Sequence, residues 1–367
     1  MLSFTLPARP ATIFENCRSR NVSTMTIRVV NERDPATWDD FIRLFPSSGP
    51  FHTRAWTECF RSERSTPLYL RLVSGDQSIG AIAGVAVDPR LRILGGLDRK
   101  LSFFSGPALS QMNNVLIRDC MLSLNRYAQD HGFTSLICSA RDYPYAYDWG
   151  DSKVHLQNIH EYIIDLRMSW EHVGERMRKS IPEQTRKAER SGLTFHEHRD
   201  ASMLPQLLRL LENTRLRRKR KSGIYFSPYY IPHLSDKPLS RLCESDITRF
   251  FVARKGTDVL CVLLVFTFCK RAYALLIGCS DEGYRLRAPA FVWFNALRYL
   301  QAEGTEFLNL AGGGPESGHA FSKISLGAER QTCTGSVSPY LKGPVRNLLF
   351  QTYRWFDNRT ASLSSLE

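Results

Sequence analysis

The segment that most constrains the fold of this 367-residue chain runs from Asp281 to Gly327. A polar, arginine-rich loop comes first, followed by a helix that opens at Pro289 and a short apolar strand from Glu306 to Leu310. A glycine run closes the strand. Because the first turn of a helix offers free N–H groups and a partial positive charge, this order predicts an anion-binding cradle. The alternative is that the arginines are solvated and the glycines only turn the chain.

Length and charge narrow the class of protein. A chain of this length exceeds the size at which one hydrophobic core keeps growing, so two domains are expected. Lys and Arg outnumber Asp and Glu by 49 to 36, which gives a net charge of +13. Such an excess favours an anionic partner, and charge alone leaves RNA, a nucleotide and a lipid phosphate open.

The cysteines and the apolar runs bear on the compartment. The nine cysteines are never spaced as CxxC, so they indicate neither a metal site nor a disulfide framework. Cys138, Cys261 and Cys269 are expected to be reduced core residues of a cytoplasmic protein. The longest apolar run, Val259 to Cys269, is too short to span a bilayer, and we expect a buried strand there.

The two halves of the chain follow one pattern. The segments YAQDHGFTSLICSA and YLQAEGTEFLNLAG each join a helix end, one glycine and an apolar strand, and strand meanders precede both. We therefore expect a duplicated α/β domain with mixed sheets. The predicted boundaries are a disordered extension over 1–25, domains over 26–165 and 166–340, and an amphipathic tail helix over 341–367.

The motifs that carry a family resemblance occur in a fixed order. They are FHTRAWTECF, FFSGPAL, RKAERSG from Arg186, the helix APAFVWFNALRYLQAEG, and FSKISLGA from Phe321. In this order they resemble the GNAT acyltransferase fold, in its FemAB-like, double-GNAT branch. The resemblance covers most of residues 27–337. It implies two GNAT-like domains in tandem with a cleft between them, in which an amine attacks the acyl carbonyl directly.

The resemblance also implies where the donor binds. The family's Q/R-x-x-G-x-G/A loop matches Arg285, Leu286, Arg287, Ala288, Pro289 and Ala290. Ala288 stands where the family has glycine, and Pro289 has no N–H. The predicted cofactor-binding residues are Arg285, Arg287, Ala288, Ala290, Gly312 and Gly313. The resemblance leaves two candidate donors. Acyl-CoA, such as acetyl-CoA, is the first choice. Aminoacyl-tRNA is the second, because the sequence lacks the long helical arm of peptidoglycan-bridge enzymes. No metal is expected.

Lys323 in the FSKISLG motif is the first catalytic candidate. It resembles the lysine that neutralises substrate phosphate or developing charge in the family, and the alternative is an exposed lysine on a turn. His319 could act as a base and Tyr284 could return a proton, although a loop histidine is often solvated and a loop tyrosine often packs. Asn309 and Glu316 are candidates for orienting substrate.

A basic segment offers a second site. Residues 176–221 hold 14 Lys or Arg and 5 acidic residues, and an aromatic loop follows. Arg186, Arg218 and Tyr225 are the predicted substrate contacts, because cations hold phosphates and bases stack on aromatic rings. A nucleotide-linked sugar, a polyprenyl diphosphate or tRNA would fit, and a solvated helix face is the alternative.

These observations together predict a cytoplasmic N-acyltransferase. Its expected acceptor is an amine on an anionic small-molecule or lipid-linked precursor, such as an amino sugar of a cell-envelope polysaccharide. The rival is a degenerate GNAT fold that only binds RNA. The C-terminal segment Val345 to Phe356 is amphipathic, so it either docks on the fold or touches a membrane surface, and no integral membrane segment is expected.

Overall fold

The fold is described from a computed structural model. It describes residues 26–88, 99–143, 154–223, 229–313 and 318–340. The predicted N-terminal extension and C-terminal tail helix lie outside these ranges. Within them, no helix is both long enough and apolar enough to cross a bilayer.

The first lobe is a strand meander packed on one long helix. Its strands are β1 (Ile27–Asn31), β2 (Ser65–Ser74), β3 (Gln77–Val87), β4 (Lys100–Phe103), β5 (Ala108–Leu109) and β6 (Ser135–Cys138). Its helices are α1 (Trp38–Ile42), α2 (Arg54–Glu58) and α3 (Asn114–Asp130). The Asn113 side chain accepts the Leu116 N–H at 2.8 Å and so caps α3. Gly75, at φ +57°, turns the β2–β3 hairpin.

The second lobe repeats this plan. Strand β7 (His155–Asp165) leads into it, followed by α4 (Trp170–Arg176), α5 (Ser180–Arg190), β8 (Leu193–His198), α6 (Leu204–Ser222) and α7 (Asp236–Cys243). The meander is β9 (Thr248–Lys255), β10 (Asp258–Phe268) and β11 (Arg271–Cys279). The closing elements are α8 (Asp281–Arg285), α9 (Ala288–Ala302), β12 (Phe307–Gly312), α10 (Gly318–Ser325) and β13 (Glu329–Pro339).

All the strands join one mixed sheet that runs through both lobes. Its order is β1-β2-β3-β4-β6-β13-β7-β12-β11-β10-β9-β8, and β5 pairs with β3 at the side. Each lobe has one parallel pair, β4 with β6 and β11 with β12. Strand β13 lies antiparallel to β6 of the first lobe and to β7. The predicted mixed α/β class is confirmed, and the two sheets are continuous with each other.

A shared hydrophobic core joins the two lobes. One buried cluster combines Trp38 and Trp56 of the first lobe with Phe250 and Phe266 of the second. Phe51 contacts the ring of Trp56 on one side and the ring of Tyr273 on the other, each with centroids 4.6 Å apart. Edge-to-face aromatic pairs of this kind add about 0.5–1.5 kcal/mol beyond their area. The lobes are therefore fixed relative to each other.

The structure corrects several local predictions. The loop before α9 is the short helix α8, because the Ser280 side chain accepts the Gly283 N–H and caps it. The predicted buried Cys269 is exposed at the β10–β11 turn, at φ +52°.

One basic stretch and one glycine-rich stretch are helical. The run from Arg215 to Lys221 continues α6, which ends where Gly223 takes φ +71°. The stretch that carries Lys323 is helix α10, anchored by the buried side chains of Ala320 and Leu326. Glycines at its start mask the helical pattern in the sequence.

Candidate active site

A group of buried polar side chains lies where the sheet passes from one lobe to the other. Strand β7 stands between β13 and β12, and the side chain of its Glu161 is completely buried. Side chains from the end of β6, from β11 and from β12 surround it. We call these residues the junction cluster: Arg141, Asp142, Glu161, Arg271, Tyr273 and Asn309.

Glu161 is bonded through both carboxylate oxygens. Oε2 accepts the Asp142 N–H at 2.7 Å and Nδ2 of Asn309 at 2.8 Å. Oε1 accepts the Tyr273 hydroxyl at 3.1 Å, and the Arg141 guanidinium lies 4.0 Å from it. Burial, reinforced by the Asp142 carboxylate, raises the pKa of Glu161. Glu161 therefore holds a proton more tightly than an exposed glutamate does.

Asp142 and Arg271 form an ion pair across the lobes. Nε and Nη2 of Arg271 each donate to one carboxylate oxygen of Asp142, both at 2.8 Å. The Arg271 side chain is only 13% exposed and the Asp142 side chain 4%, so this is a buried bidentate pair. Asn309 Nδ2 adds a third bond to Asp142 at 3.0 Å.

The backbone around the cluster is strained. Ala140, Asp142 and Ala311 have φ of 46°, 53° and 64°, which makes three of the six non-glycine residues with positive φ in the described ranges. The β12–β7 register also breaks between Asn309 and Gly312. Such backbone costs about 1–3 kcal/mol per residue and concentrates at functional sites.

Lys323 reaches this bulge from α10. Its ammonium donates to the carbonyl oxygens of Ala311 at 2.9 Å and of Gly312 at 2.7 Å. An ammonium has three N–H bonds, so one remains for another acceptor. Burial lowers the pKa of Lys323 to about 8, and the nearby Glu161 carboxylate opposes that shift. At neutral pH the side chain is charged.

Strands β11 and β12 separate directly above the cluster. They pair in parallel only from Arg271 with Phe307 to Tyr273 with Asn309. Beyond that point the β10–β11 register shifts, which leaves Leu275 out of the pairing. The Tyr230 hydroxyl lies 3.4 Å from the Leu275 carbonyl oxygen. A bulge beside an opening between parallel strands is a frequent feature of active sites.

A cationic groove lies at the beginning of α9. Its volume is about 810 Å³, and its lining is Ser180, Glu183, Gln184, Arg186, Lys187, Glu189, Arg190 and Arg287. The four cations form no ion pair with a carboxylate in the described part of the chain. Because α9 points its amino end at this groove, the helix dipole adds to their charge. We call this the α5–α9 groove.

The groove departs from a glycine-rich phosphate cradle. Arg287 takes the left-handed conformation at φ +65°, just before the helix. Within the first turn only Ala288 and Ala290 have N–H groups without a partner in the helix, because Pro289 has none. Arginine side chains therefore supply the positive charge that backbone amides would otherwise provide.

Comparisons with known proteins agree with this geometry. Residues 175–317 match the family model described as the acetyltransferase (GNAT) domain. This part of the chain is therefore a GNAT domain. The matched domain is of the acetyltransferase class, and the tandem fold is FemAB-like. The described fold is similar to that of FemX, at 10% identity and a TM-score of 0.64 over 89% of this chain and 99% of that one.

A second solved structure has the same fold. L-PGS from Bacillus licheniformis is 13% identical, with a TM-score of 0.51 over 90% of this chain and 98% of that one. At such identities the likeness concerns the fold. No curated protein matches the chain in sequence.

The predicted site residues fall into two groups. Asn309, Gly312, Gly313 and Lys323 meet at the end of β12, where the Gly313 N–H donates to the His160 carbonyl at 3.3 Å. Arg186 and Arg287 line the α5–α9 groove, and Ala288 and Ala290 are buried in the first turn of α9 beside it. Both groups lie at the edge of the sheet where β11 and β12 end, because α9 returns the chain from one strand to the other.

Two predicted residues lie apart from both groups. Arg285 is paired with Glu282 on α8 at 2.5 and 2.7 Å. The Tyr284 ring lies beneath the Arg217 guanidinium at 4.0 Å, so it is tied to α6. Their donor and proton-transfer roles stay predictions. Glu316 and Tyr225 lie outside the described residues, as do the side chains of Arg218 and His319.

Sequence reasoning missed most of the junction cluster of this GNAT fold. In the sequence, Asp142 follows an apolar run and Glu161 precedes one. Single acidic residues at such positions are an ordinary pattern at the ends of strands. A weak signal exists, because Glu161 directly precedes the buried run from Tyr162 to Leu166. Among the described residues, no group of three or more His, Cys, Asp or Glu side chains could hold a metal ion.

Proposed function

We propose that this protein is an N-acyltransferase that moves an acyl group from acyl-CoA to an amine of an anionic precursor. One observation carries the proposal. The ends of β11 and β12 bring the α5–α9 groove, the strand opening and the Lys323 ammonium to one edge of the sheet. A phosphorylated donor in the groove would extend its acyl group towards the opening.

The chemistry requires an amine, a polarised carbonyl and a proton acceptor. The amine attacks the carbonyl carbon, a C–N bond forms, and negative charge develops on the carbonyl oxygen. The third N–H of Lys323 is available to stabilise that charge, and a positioned donor of this kind contributes about 3–4 kcal/mol. The bond to the leaving sulfur or oxygen then breaks, and that atom takes up the proton that the amine has lost.

The acceptor is proposed from charge. A net charge of +13, with free cations at the groove, attracts a phosphorylated or otherwise acidic acceptor. An amino sugar of an envelope polysaccharide precursor, free or lipid-linked, has the required amine and anionic group. The described cysteines are free thiols, which suits a reducing compartment such as the cytoplasm.

Aminoacyl-tRNA is the second candidate donor. Ala288 and Pro289 replace the small, amide-rich turn that a compact diphosphate needs, while the arginines of α5 present an open cationic face. Such a face suits a polynucleotide backbone. The reaction at the carbonyl would be the same, with an ester in place of a thioester.

The test is a donor screen on the intact protein. Acetyl-CoA, longer acyl-CoAs and charged tRNA are added separately, and the melting temperature is measured. The true donor raises the melting temperature, because a ligand stabilises the state that binds it. At 100 times its Kd, the donor adds about 2.7 kcal/mol to the free energy of unfolding. Product formation with amino-sugar acceptors is followed by mass spectrometry, because the exposed Cys269 would react with thiol reagents.

The matched variants separate catalysis from binding. Lys323→Met removes the ammonium and should abolish turnover while leaving the donor-induced shift in place. Arg209→Met removes a cation from an exposed position on α6 and should change neither. RNA binding without turnover of any donor would contradict the proposal.

A further inference from the structure

A chain of hydroxyl groups connects the strand opening to the buried carboxylate of the junction cluster. The Tyr230 hydroxyl lies 3.5 Å from the Tyr273 hydroxyl, which lies 3.1 Å from Oε1 of Glu161. A carboxylate can only accept, so Tyr273 must donate to Glu161 and Tyr230 must donate to Tyr273. All the donors therefore point inwards, from the opening to Glu161.

Tyr230 stands at the outer end of this chain. Its residue surface is 39% exposed, while its hydroxyl lies beside the Leu275 carbonyl at the β11 bulge. Arg141 holds it in place, since the guanidinium donates to the Tyr230 carbonyl at 3.2 Å and lies 5.4 Å from the ring. Tyr230 therefore combines access from outside with a fixed inner contact.

Glu161 at the inner end is a buried carboxylate without a close ion pair. Arg271 bonds to Asp142 instead, and Arg141 approaches Oε1 only to 4.0 Å. The titratable or charged side chains that face Glu161 are Arg141, Asp142, Arg271, Tyr273, Lys323 and Cys333. Burial of an incompletely paired carboxylate is costly for folding, which makes Glu161 a candidate for a chemical role.

We propose that Tyr230, Tyr273 and Glu161 form a proton relay for the acyl transfer. The proposal rests on the proposed function and extends it. As the C–N bond forms, the amine proton passes to the Tyr230 oxygen, the Tyr230 proton to Tyr273, and the Tyr273 proton to Oε1 of Glu161. When the bond between the acyl carbon and the leaving sulfur or oxygen breaks, the proton returns along the same chain to that atom. Glu161 ends as a carboxylate.

The electrostatics of the three groups suit this exchange. Burial raises the pKa of both tyrosines, so they stay neutral and pass protons on without storing charge. The raised pKa of Glu161 makes it a stronger base than an exposed carboxylate. In the wild type, kcat is therefore expected to rise with pH as Glu161 loses its proton, at a pH above the ordinary range of glutamate.

The test compares Tyr→Phe variants that remove one hydroxyl each. Tyr230→Phe and Tyr273→Phe should lower kcat by about 10²–10⁴-fold, the usual contribution of acid–base catalysis, with the donor KM almost unchanged. In both variants, kcat should no longer rise with pH as Glu161 loses its proton. Tyr69→Phe is the control, because the Tyr69 hydroxyl bonds Glu58 at 2.9 Å in the first lobe, away from the site. It should match the wild type.

The outcomes are separable. Should Tyr273→Phe fail to fold, Tyr230→Phe decides, because its hydroxyl makes only long contacts of 3.4 and 3.5 Å. An active wild type whose Tyr230→Phe variant keeps the same kcat and pH profile overturns the relay and leaves the proposed function standing. Absence of wild-type turnover with every donor overturns both, before any variant is made.

Discussion

Lys270, just before β11, and Arg271, its first residue, form ion pairs that contribute very differently to stability. Lys270 bonds Glu306 at 2.6 Å, but its side chain is 69% exposed. Arg271 bonds Asp142 in a site where both side chains are nearly buried. An exposed pair contributes little to stability, because water screens its charges and its side chains lose entropy when they pair. Breaking a buried pair is costly, because it leaves one charge unpaired in the interior.

We therefore expect Arg271→Gln to destabilise the protein far more than Lys270→Gln. Removing Arg271 leaves the Asp142 carboxylate buried and unpaired, at a cost of about 3–5 kcal/mol. Removing Lys270 should cost less than about 1 kcal/mol. Urea unfolding at pH 7 measures both. Equal losses for the two variants would show that the buried pair does not hold the lobes together.

The same residues show why the site was only partly predictable. Lys323 stood out because its motif is local and contiguous. Glu161 did not, because its partners Asp142, Tyr273 and Asn309 are 19, 112 and 148 positions away. An acidic residue inside a strand gives no local sign of such neighbours. Its burial becomes visible only when the two lobes are assembled.

At the scale of elements, helix α9 begins from a strained residue. Arg287 has φ +65°, a conformation that glycine adopts freely and that costs other residues about 1–2 kcal/mol. Its guanidinium also lines the α5–α9 groove. Strain that persists beside a binding groove is typically retained for function.

Arg287→Gly should consequently raise stability and weaken donor binding. Relief of the strain is expected to add up to about 1 kcal/mol to the free energy of unfolding. Loss of a charged hydrogen bond to the donor is expected to raise its Kd by about 10–100-fold. His233→Gly is the control, because His233 has the same φ of 65° outside the groove. It should gain stability and leave the Kd unchanged; equal Kd values in all three proteins would exclude Arg287 from the donor site.

Elements with a clear period were predictable, and those without one were not. Helix α9 and the β2–β3 hairpin follow from apolar spacing and from the turn at Gly75. Helix α10 was hidden by its glycine-rich start, and its stability comes from packing of Ala320 and Leu326. Tertiary contacts of this kind override local preference.

At the scale of the whole molecule, β13 is the strand that unites the lobes. It pairs with β6 from Ser336 to Pro339 and with β7 from Glu329 to Val337. A chain that stops after Ala328 would lack the pairing of β13 with both β6 and β7. It would also lose the buried Cys333 side chain and leave a cavity in its place. We expect this truncation to be insoluble or partly unfolded by circular dichroism. A shorter deletion, of residues 341–367, is the control and should keep the fold. A cooperative thermal transition in the longer truncation would refute this role.

The late position of β13 has a consequence for biosynthesis. Strand β6 is synthesised nearly 200 residues before its β13 partner, as the pairing of Cys138 with Ser336 shows. The first lobe therefore emerges from the ribosome with one strand edge bare, and such an edge invites pairing with other nascent chains. Cells that make this enzyme must shield that edge until translation is almost complete, so its yield should depend on chaperones that act during synthesis.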